Sequence, residues 1–116
     1  MNYLHAYHAG NFADVHKHVV LLALLAALKR KPTPLSYVET HAGAGRYDLT
    51  GPAAVRTGES NGGVRLLQSR AADVALLSDY RAVLAAMNPD GGTHLYPGSP
   101  WIAAHALGAA DRLLLC

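Results

Sequence analysis

Two glycines in the segment His41-Ala42-Gly43-Ala44-Gly45 have the type and spacing of a ligand-binding loop. They follow a short β-prone segment. In nucleotide-binding α/β folds such glycines let the backbone approach a ligand with no Cβ in between. A Gly-x-Gly pair is a weak signal by itself, so a tight turn without a ligand stays open as the alternative. The third glycine of a dinucleotide fingerprint is missing, which argues against NAD or FAD.

The seven histidines are the second group of side chains that could do chemistry. His5 and His8 are three residues apart, and His16 and His18 are two apart, which places the second pair on different faces of a helix. No Cys-x-x-Cys or His-Glu-x-x-His completes a metal site, so we expect no metal. A histidine that contacts a cofactor or a phosphate is the more plausible role. An ordinary surface or core histidine is the alternative for each of them.

The spacing of apolar residues and chain breakers predicts the elements that position these groups. Asn11 can cap a helix that carries apolar residues from Val15 to Leu28, and so apolar a helix is expected to be buried on most sides. The glycine loop is expected to open a helix or a turn. The other predicted elements are a strand over 35–40, a helical segment over 64–87 broken near Ser78, a brief extended piece over 93–96, a helix from Pro100 to about Leu107 capped by Ser99, and a buried strand over 112–116.

Strands separated by helices predict an α/β fold with a parallel sheet. Too many residues separate the first two extended pieces for a simple crossover, so we expect residues 48–92 to form a small helical insertion. Two clear strands make a poor sheet. The sequence therefore indicates part of a larger domain.

Charge and cysteine content indicate the compartment more than the partner. Residues 1–70 carry eight basic and four acidic side chains, a basic bias that can face a polyanion but is equally typical of a solvated helix end. The one cysteine, Cys116, allows no disulfide framework. The start lacks a signal peptide, and the longest apolar run, Val19 to Leu28, is too short to span a bilayer. We expect a soluble, cytoplasmic protein without a membrane partner.

Four motifs occur in order along the chain: His8-Ala9-Gly10-Asn11-Phe12-Ala13-Asp14-Val15-His16-Lys17-His18, then Thr40-His41-Ala42-Gly43-Ala44-Gly45-Arg46-Tyr47, then Arg56-Thr57-Gly58-Glu59, then Tyr96-Pro97-Gly98-Ser99-Pro100. Together they strongly resemble the RlmJ family of bacterial 23S rRNA adenine-N6 methyltransferases. The resemblance covers all 116 residues. It implies a monomeric parent protein with a Rossmann-like methyltransferase fold that carries a small helical insertion.

The resemblance also implies the ligands and the residues that meet them. S-adenosyl-L-methionine is the implied methyl donor, and the N6 amine of an adenine in 23S rRNA is the implied acceptor. Residues 1–18 are expected to fold over the cofactor. His18, His41 and Ser99, with Gly43 and Gly45, are the implied cofactor contacts. Tyr3 is the implied RNA contact, and Lys17 is a second candidate for that pocket.

The sequence departs from the family in the catalytic motif. No Asp/Asn-Pro-Pro-Tyr occurs in it, and Asn88-Pro89-Asp90 lacks the second proline. We therefore expect the chain to be the N-terminal portion of a methyltransferase domain, with no catalytic residue of its own and no activity alone. The alternative hypothesis is a non-catalytic truncated paralogue that acts as an RNA- or nucleotide-binding module.

Overall fold

The computed structural model describes residues 3–70 and 74–116, except for the side chain of Leu76. Its helices and strands, in chain order, are α1 (Phe12–Leu28), β1 (Ser36–Glu39), β2 (Arg46–Asp48), α2 (Pro52–Thr57), α3 (Val64–Ser69), α4 (Ala75–Met87), β3 (Leu95–Pro97), α5 (Ser99–Ala106) and β4 (Arg112–Leu115). Two short 3₁₀ helices cover His5–Tyr7 and Glu59–Gly62. The mixed α/β class predicted from the sequence is confirmed.

Helix α1 begins where the sequence predicts. The side chain of Asn11 accepts a hydrogen bond from the backbone N–H of Asp14, which satisfies one of the free donors of the first turn. The prediction that α1 is buried on most sides is wrong. Val20, Leu24 and Leu28 are about half exposed, because α1 packs on α4 and α5 with one side only.

Strands β1 and β4 pair in parallel, with Val38 opposite Leu114 and Glu39 opposite Leu115. The predicted parallel arrangement is therefore confirmed for these two strands. The prediction that β4 is buried is wrong, since all four of its residues are exposed. Among the described residues nothing pairs with the outer edge of either strand.

The glycine loop contains turn and bend residues and leads into strand β2, so of the two predicted outcomes the helix is wrong. Strand β2 pairs antiparallel with β3, and Tyr47 lies opposite Tyr96. The chain between them holds α2, α3 and α4, so the segment predicted as a helical insertion is largely helical. The predicted break near Ser78 is wrong, because α4 runs through Ser78 from Ala75 to Met87.

The core lies where α1, α4, α5 and β3 meet. Its largest fully buried side chains include Tyr80, Tyr96, Leu84, Ile102 and Val64. Val19 and Leu22 of α1 join the same cluster. None of the helices in residues 3–70 and 74–116 combines the length and the apolar character needed to cross a bilayer.

Candidate cofactor and RNA site

The glycine loop lies at the carboxyl ends of the two parallel strands. The backbone N–H of Ala42 donates to the carbonyl of Cys116 over 3.0 Å, and the N–H of Cys116 donates to the carbonyl of Glu39 over 2.8 Å. Gly43 has φ +65°, a left-handed conformation that side chains rarely adopt. His41, Gly43 and Ala44 are exposed. The loop thus presents its backbone at the edge where α/β folds bind ligands.

The loop is in direct contact with the Tyr96-Pro97-Gly98-Ser99-Pro100 motif. The backbone N–H of Gly98 donates to the carbonyl of Gly45 over 3.0 Å. A Cβ on Gly98 would lie 2.1 Å from the carbonyl oxygen of Ala44, so only glycine allows this approach. Two motifs that are more than 50 residues apart in the chain therefore form one surface.

Ser99 is held by the end of β1. Its hydroxyl donates to one carboxylate oxygen of Glu39, while the hydroxyl of Tyr37 donates to the other over 3.1 Å. Burial and the neighbouring Glu39 carboxylate raise the pKa of Tyr37 to about 12. The prediction that Ser99 caps α5 is wrong. Gly98 occupies the N-cap position, Ser99 is already the first residue of α5, and the Ser99 hydroxyl donates to Glu39.

Glu39 is a residue that sequence analysis missed. The available signal was a carboxylate at the last position of the strand that leads into a glycine loop. It carries a negative charge next to Ser99 and below the loop. A cationic ligand group that approached the loop from this side would meet that charge.

His18 is buried on α1 and is 6% exposed. Tyr80 donates its hydroxyl hydrogen to Tyr96, so Tyr96 donates to Nδ1 of His18 over 2.7 Å. This leaves the proton of the neutral ring on Nε2, which lies 3.8 Å from an oxygen of Asp14. Burial lowers the pKa of His18 to about 4, so the ring is neutral at physiological pH.

Asp14 joins His18 to the N-terminal segment. Burial alone would raise its pKa, but hydrogen bonds from His5 (2.9 Å) and from the backbone N–H of Gly10 (3.0 Å) outweigh burial and lower it. The carboxylate is therefore ionised and fixed. With Nε2 of His5 donating to Asp14, Nδ1 of His5 accepts from the hydroxyl of Tyr3.

Tyr3 is 68% exposed but held in place by aromatic rings. Its ring stacks on His8 with 5.2 Å between centroids and 3° between planes. His5 meets the ring of Tyr47 edge-on at 5.1 Å, and the hydroxyl of Tyr47 accepts from the backbone N–H of Ala44. The predicted RNA contact is thereby connected to the glycine loop through two side chains.

The Arg56-Thr57-Gly58-Glu59 motif fixes the same N-terminal segment from the other side. The hydroxyl of Thr57 donates to the carbonyl of Tyr7 over 2.6 Å, and the carboxylate of Glu59 accepts from Nδ1 of His8 over 2.9 Å. Hydrogen bonds from His8 and Asn11 lower the pKa of Glu59. This motif therefore has a structural role.

One pattern that sequence analysis missed is Gly58-Glu59-Ser60-Asn61-Gly62, which has the Gly-x-Ser-x-Gly spacing of a hydrolase nucleophile elbow. Ser60 is buried in a 3₁₀ helix and accepts a hydrogen bond from Nε of Arg65. A nucleophile elbow places its serine exposed between a strand and a helix. The segment therefore lacks the geometry of that site.

The structure thus brings Gly43, Gly45 and Ser99 together at one edge and links Tyr3 to that edge. His41 is exposed at the head of the loop, where its Nδ1 lies 3.0 Å from the hydroxyl of Thr40. Lys17 is exposed on α1. Within the described part of the chain, no group of three or more His, Cys, Asp or Glu side chains has a metal-binding arrangement.

A family model described as "Ribosomal RNA large subunit methyltransferase D, RlmJ" matches residues 32–116. The chain belongs to the RlmJ family. The resemblance seen in the sequence motifs is therefore confirmed.

Two curated relatives are named Ribosomal RNA large subunit methyltransferase J. The one from Escherichia coli is 43% identical and the one from Haemophilus influenzae is 40% identical, each over 99% of this chain. The chain spans 41% of the length of each relative. A crystal structure of a Legionella pneumophila protein of the DUF519 family is 40% identical, with a TM-score of 0.85 over 93% of this chain and 39% of that one.

Proposed function

We propose that this RlmJ-family chain carries one side of the S-adenosyl-L-methionine site of an rRNA methyltransferase. In this proposal the enzyme transfers a methyl group to the N6 amine of an adenine in 23S rRNA. The observation that carries the proposal is the contact between the glycine loop and the Tyr96-Pro97-Gly98-Ser99-Pro100 motif at the carboxyl ends of β1 and β4. We further propose that the enzyme is cytoplasmic and monomeric.

A Rossmann-like methyltransferase fold is part of this proposal. Its support is the parallel pairing of β1 with β4, with the glycine loop directly after β1. In open α/β sheets, ligands bind outside the carboxyl ends of the strands. The helices between β2 and β3 are then an insertion, as proposed for residues 48–92.

The donor set fits S-adenosyl-L-methionine, whose sulfonium and ammonium groups are cationic. The carboxylate of Glu39 supplies a negative charge beside Ser99. Gly43 and Gly45 leave the loop backbone open to a ligand, and His41 is exposed at its head. Both ring nitrogens of His18 face protein groups and the residue is 6% exposed, so its proposed contact with the ligand would use only the small accessible part of the ring. When bound, the cofactor supplies an electrophilic methyl group.

The RNA would be met by the N-terminal segment. A stacked aromatic ring such as Tyr3 on His8 offers a platform for an unpaired base, and Lys17 offers a charge for phosphate. An adenine in a duplex must leave the stack before its amine can be reached. Asp14 contacts both His5 and His18, so we propose that the described part of the N-terminal segment, residues 3–18, covers a ligand as a fixed unit.

The groups that activate the adenine amine are not among these 116 residues, because the sequence contains no Asp/Asn-Pro-Pro-Tyr. The second candidate function is a non-catalytic module that binds RNA or a nucleotide, and the same absence is compatible with both candidates. The two candidates share the loop and the N-terminal segment. They differ in whether methyl transfer occurs in any protein that contains the chain.

Calorimetric titration with S-adenosyl-L-methionine of a polypeptide that joins this chain to the unmatched part of the Escherichia coli relative tests the cofactor site. We expect saturable binding that His41→Ala weakens by about tenfold, since hydrogen bonds to charged groups are worth about 1.5–3 kcal/mol. His94→Ala, on the turn before β3, is the control and should bind normally. Equal binding by both variants, or no binding at all, would contradict the site.

Methyl transfer to 23S rRNA that lacks the family's modification separates the two candidates. The rRNA would come from Escherichia coli cells without their RlmJ relative. A single polypeptide that joins this chain to the unmatched part of that relative should incorporate labelled methyl groups, and the 116-residue chain alone should not. RNA binding without methyl transfer by the joined protein would favour the binding module.

A further inference from the structure

The two-stranded sheet formed by β1 and β4 has one face with no covering element. Side chains alternate along a strand, so Ser36 and Val38 share a face with Arg112 and Leu114. Val38 and Leu114 are paired across the strands, and each is 59% exposed. These four residues are named the open sheet face.

The opposite face of the same sheet is partly covered, although Leu113 and Leu115 on it are still 38% and 42% exposed. Glu39 lies on it and is bonded to Ser99 at the start of α5, and α5 packs on β4. Tyr37 and Glu39 are half-buried, in contrast to Val38. Parallel sheets are found almost only with both faces buried. A pair of parallel strands with an uncovered face therefore lacks the element that would normally pack on that face.

Both edges of the sheet are free as well. In the described part of the chain β1 and β4 pair only with each other, which leaves a row of backbone N–H and carbonyl groups on each outer side. Such edges are templates for further strands. The occupant must therefore offer strands to two edges and apolar side chains to one face.

A second copy of this chain meets those requirements poorly. Two-fold symmetry pairs identical edges with each other, so a dimer through β4 leaves both β1 edges free. RNA is also a poor fit, because the centre of the face is Val38 against Leu114. A polypeptide with several strands fits all three surfaces.

The relatives indicate which polypeptide this is. The chain matches 41% of the Escherichia coli and Haemophilus influenzae proteins and 39% of the Legionella structure, and it overlays that structure with a TM-score of 0.85. The same fold unit therefore exists inside chains more than twice as long. Their unmatched parts are available to cover it.

We propose that the open sheet face and its two edges bind the unmatched portion of an RlmJ-family chain, and that the two associate even as separate polypeptides. The inference depends on family membership and on the sheet, and it does not require the proposed function. Docking there would also surround the glycine loop, since the loop begins at the end of β1.

Co-expression tests the proposal. The tagged 116-residue chain would be produced together with the part of the Escherichia coli relative that it does not match. We expect a one-to-one complex on size exclusion. Hydrogen exchange should slow by about tenfold or more at amides of β1 and β4, because edge groups gain partners on strand addition.

Val38→Asp is the disruptive variant and Val55→Asp is its matched control. Val55 is 64% exposed on α2, away from the sheet, so the same substitution there should leave the complex intact. Val38→Asp should weaken the complex by about tenfold or more, because it places a charge inside an apolar contact. Circular dichroism of the free chain checks that both variants fold, and Val38→Thr, which keeps the β-branched shape, should weaken the complex less than Val38→Asp.

No complex with the wild-type chain, or equal loss with Val38→Asp and Val55→Asp, would overturn the proposal. So would a homodimer that Val38→Asp abolishes, because the face would then belong to a second copy. Complex formation is measured without cofactor. A normal complex that transfers no methyl group would contradict the proposed function alone.

Discussion

The two halves of this molecule differ in how completely they are packed. Tyr80, Tyr96 and Ile102 are fully buried, and the hydroxyls of the two tyrosines are hydrogen-bonded to each other and to His18. In the β1–β4 sheet the apolar side chains Val38 and Leu114 are more exposed than covered. Both halves are made of similar apolar residues. The difference shows that the chain's own helices and strands bury the apolar side chains around Tyr96 but do not bury those of the β1–β4 sheet.

The largest expected contrast comes from the same truncation made in each half. Leu84→Ala removes a side chain that is 1% exposed and should lower the free energy of unfolding by about 2–5 kcal/mol, since it leaves a cavity. Leu114→Ala, at 59% exposure, should change it by about 0.5 kcal/mol or less. Urea denaturation of both variants measures the difference. Similar losses would mean that the sheet is already packed.

Acid should lower the free energy of unfolding through His18, which lies in the well-packed part of the molecule around Tyr96. The unfolded ring binds a proton below pH 6.5, whereas the folded ring stays neutral until about pH 4, because burial disfavours its charge. Stability present above the unfolded pKa is therefore lost as the pH falls through this window. The slope is at most about 1.4 kcal/mol per pH unit, or about 3 kcal/mol in total.

Thermal unfolding at several pH values between 4 and 7 measures this slope. His18→Gln has no titrating group and should flatten it. His16→Gln, exposed on the same helix, is the control and should keep the wild-type slope. A slope that survives in His18→Gln would assign the acid sensitivity to another group.

Sequence patterns predicted the elements whose signals are local. The Asn11 cap, the span of α1 and the pairing type of β1 with β4 followed from capping chemistry and from the alternation of strands and helices. Burial could not be predicted in the same way. Leu114 and Leu84 are the same residue type, and only the presence of a covering element distinguishes them.

The sequence predicted the residues of the glycine loop but not the side-chain contacts that hold the neighbouring residues in place. Gly43, Gly45 and Ser99 are brought together as predicted. The hydrogen bond from Ser99 to Glu39 joins residues 60 positions apart, and the one between Tyr96 and His18 joins residues 78 positions apart. Such pairings depend on tertiary packing, which no local pattern encodes. The hydroxyl of Ser99 fits a helix cap by sequence, but a carboxylate within reach redirects it.

Removing one tyrosine hydroxyl from the core and one from the β1–β4 sheet should lower the free energy of unfolding by different amounts. Tyr96→Phe leaves the hydroxyl of Tyr80 and Nδ1 of His18 without their partner in a buried place, which should cost about 1–3 kcal/mol. Tyr37→Phe removes a half-buried hydroxyl from the β1–β4 sheet, where water can take over the bond to Glu39, and should cost about 0.5 kcal/mol. Chemical denaturation compares the two. Equal costs would show that the Tyr80–Tyr96–His18 chain adds nothing beyond an ordinary surface hydrogen bond.

The smallest expected contrast is between the two helix starts. Asn11→Ala removes the side chain that accepts from Asp14 and should cost about 1 kcal/mol at the start of α1. Ser99→Ala removes no cap from α5, because Gly98 is the N-cap residue, and only the bond to Glu39 is lost; about 0.5 kcal/mol is expected. Cofactor binding should respond in the opposite order, with Ser99→Ala the more damaging. A larger stability loss in Ser99→Ala than in Asn11→Ala would mean that its hydroxyl acts as a cap after all, and that its contact with Glu39 is secondary.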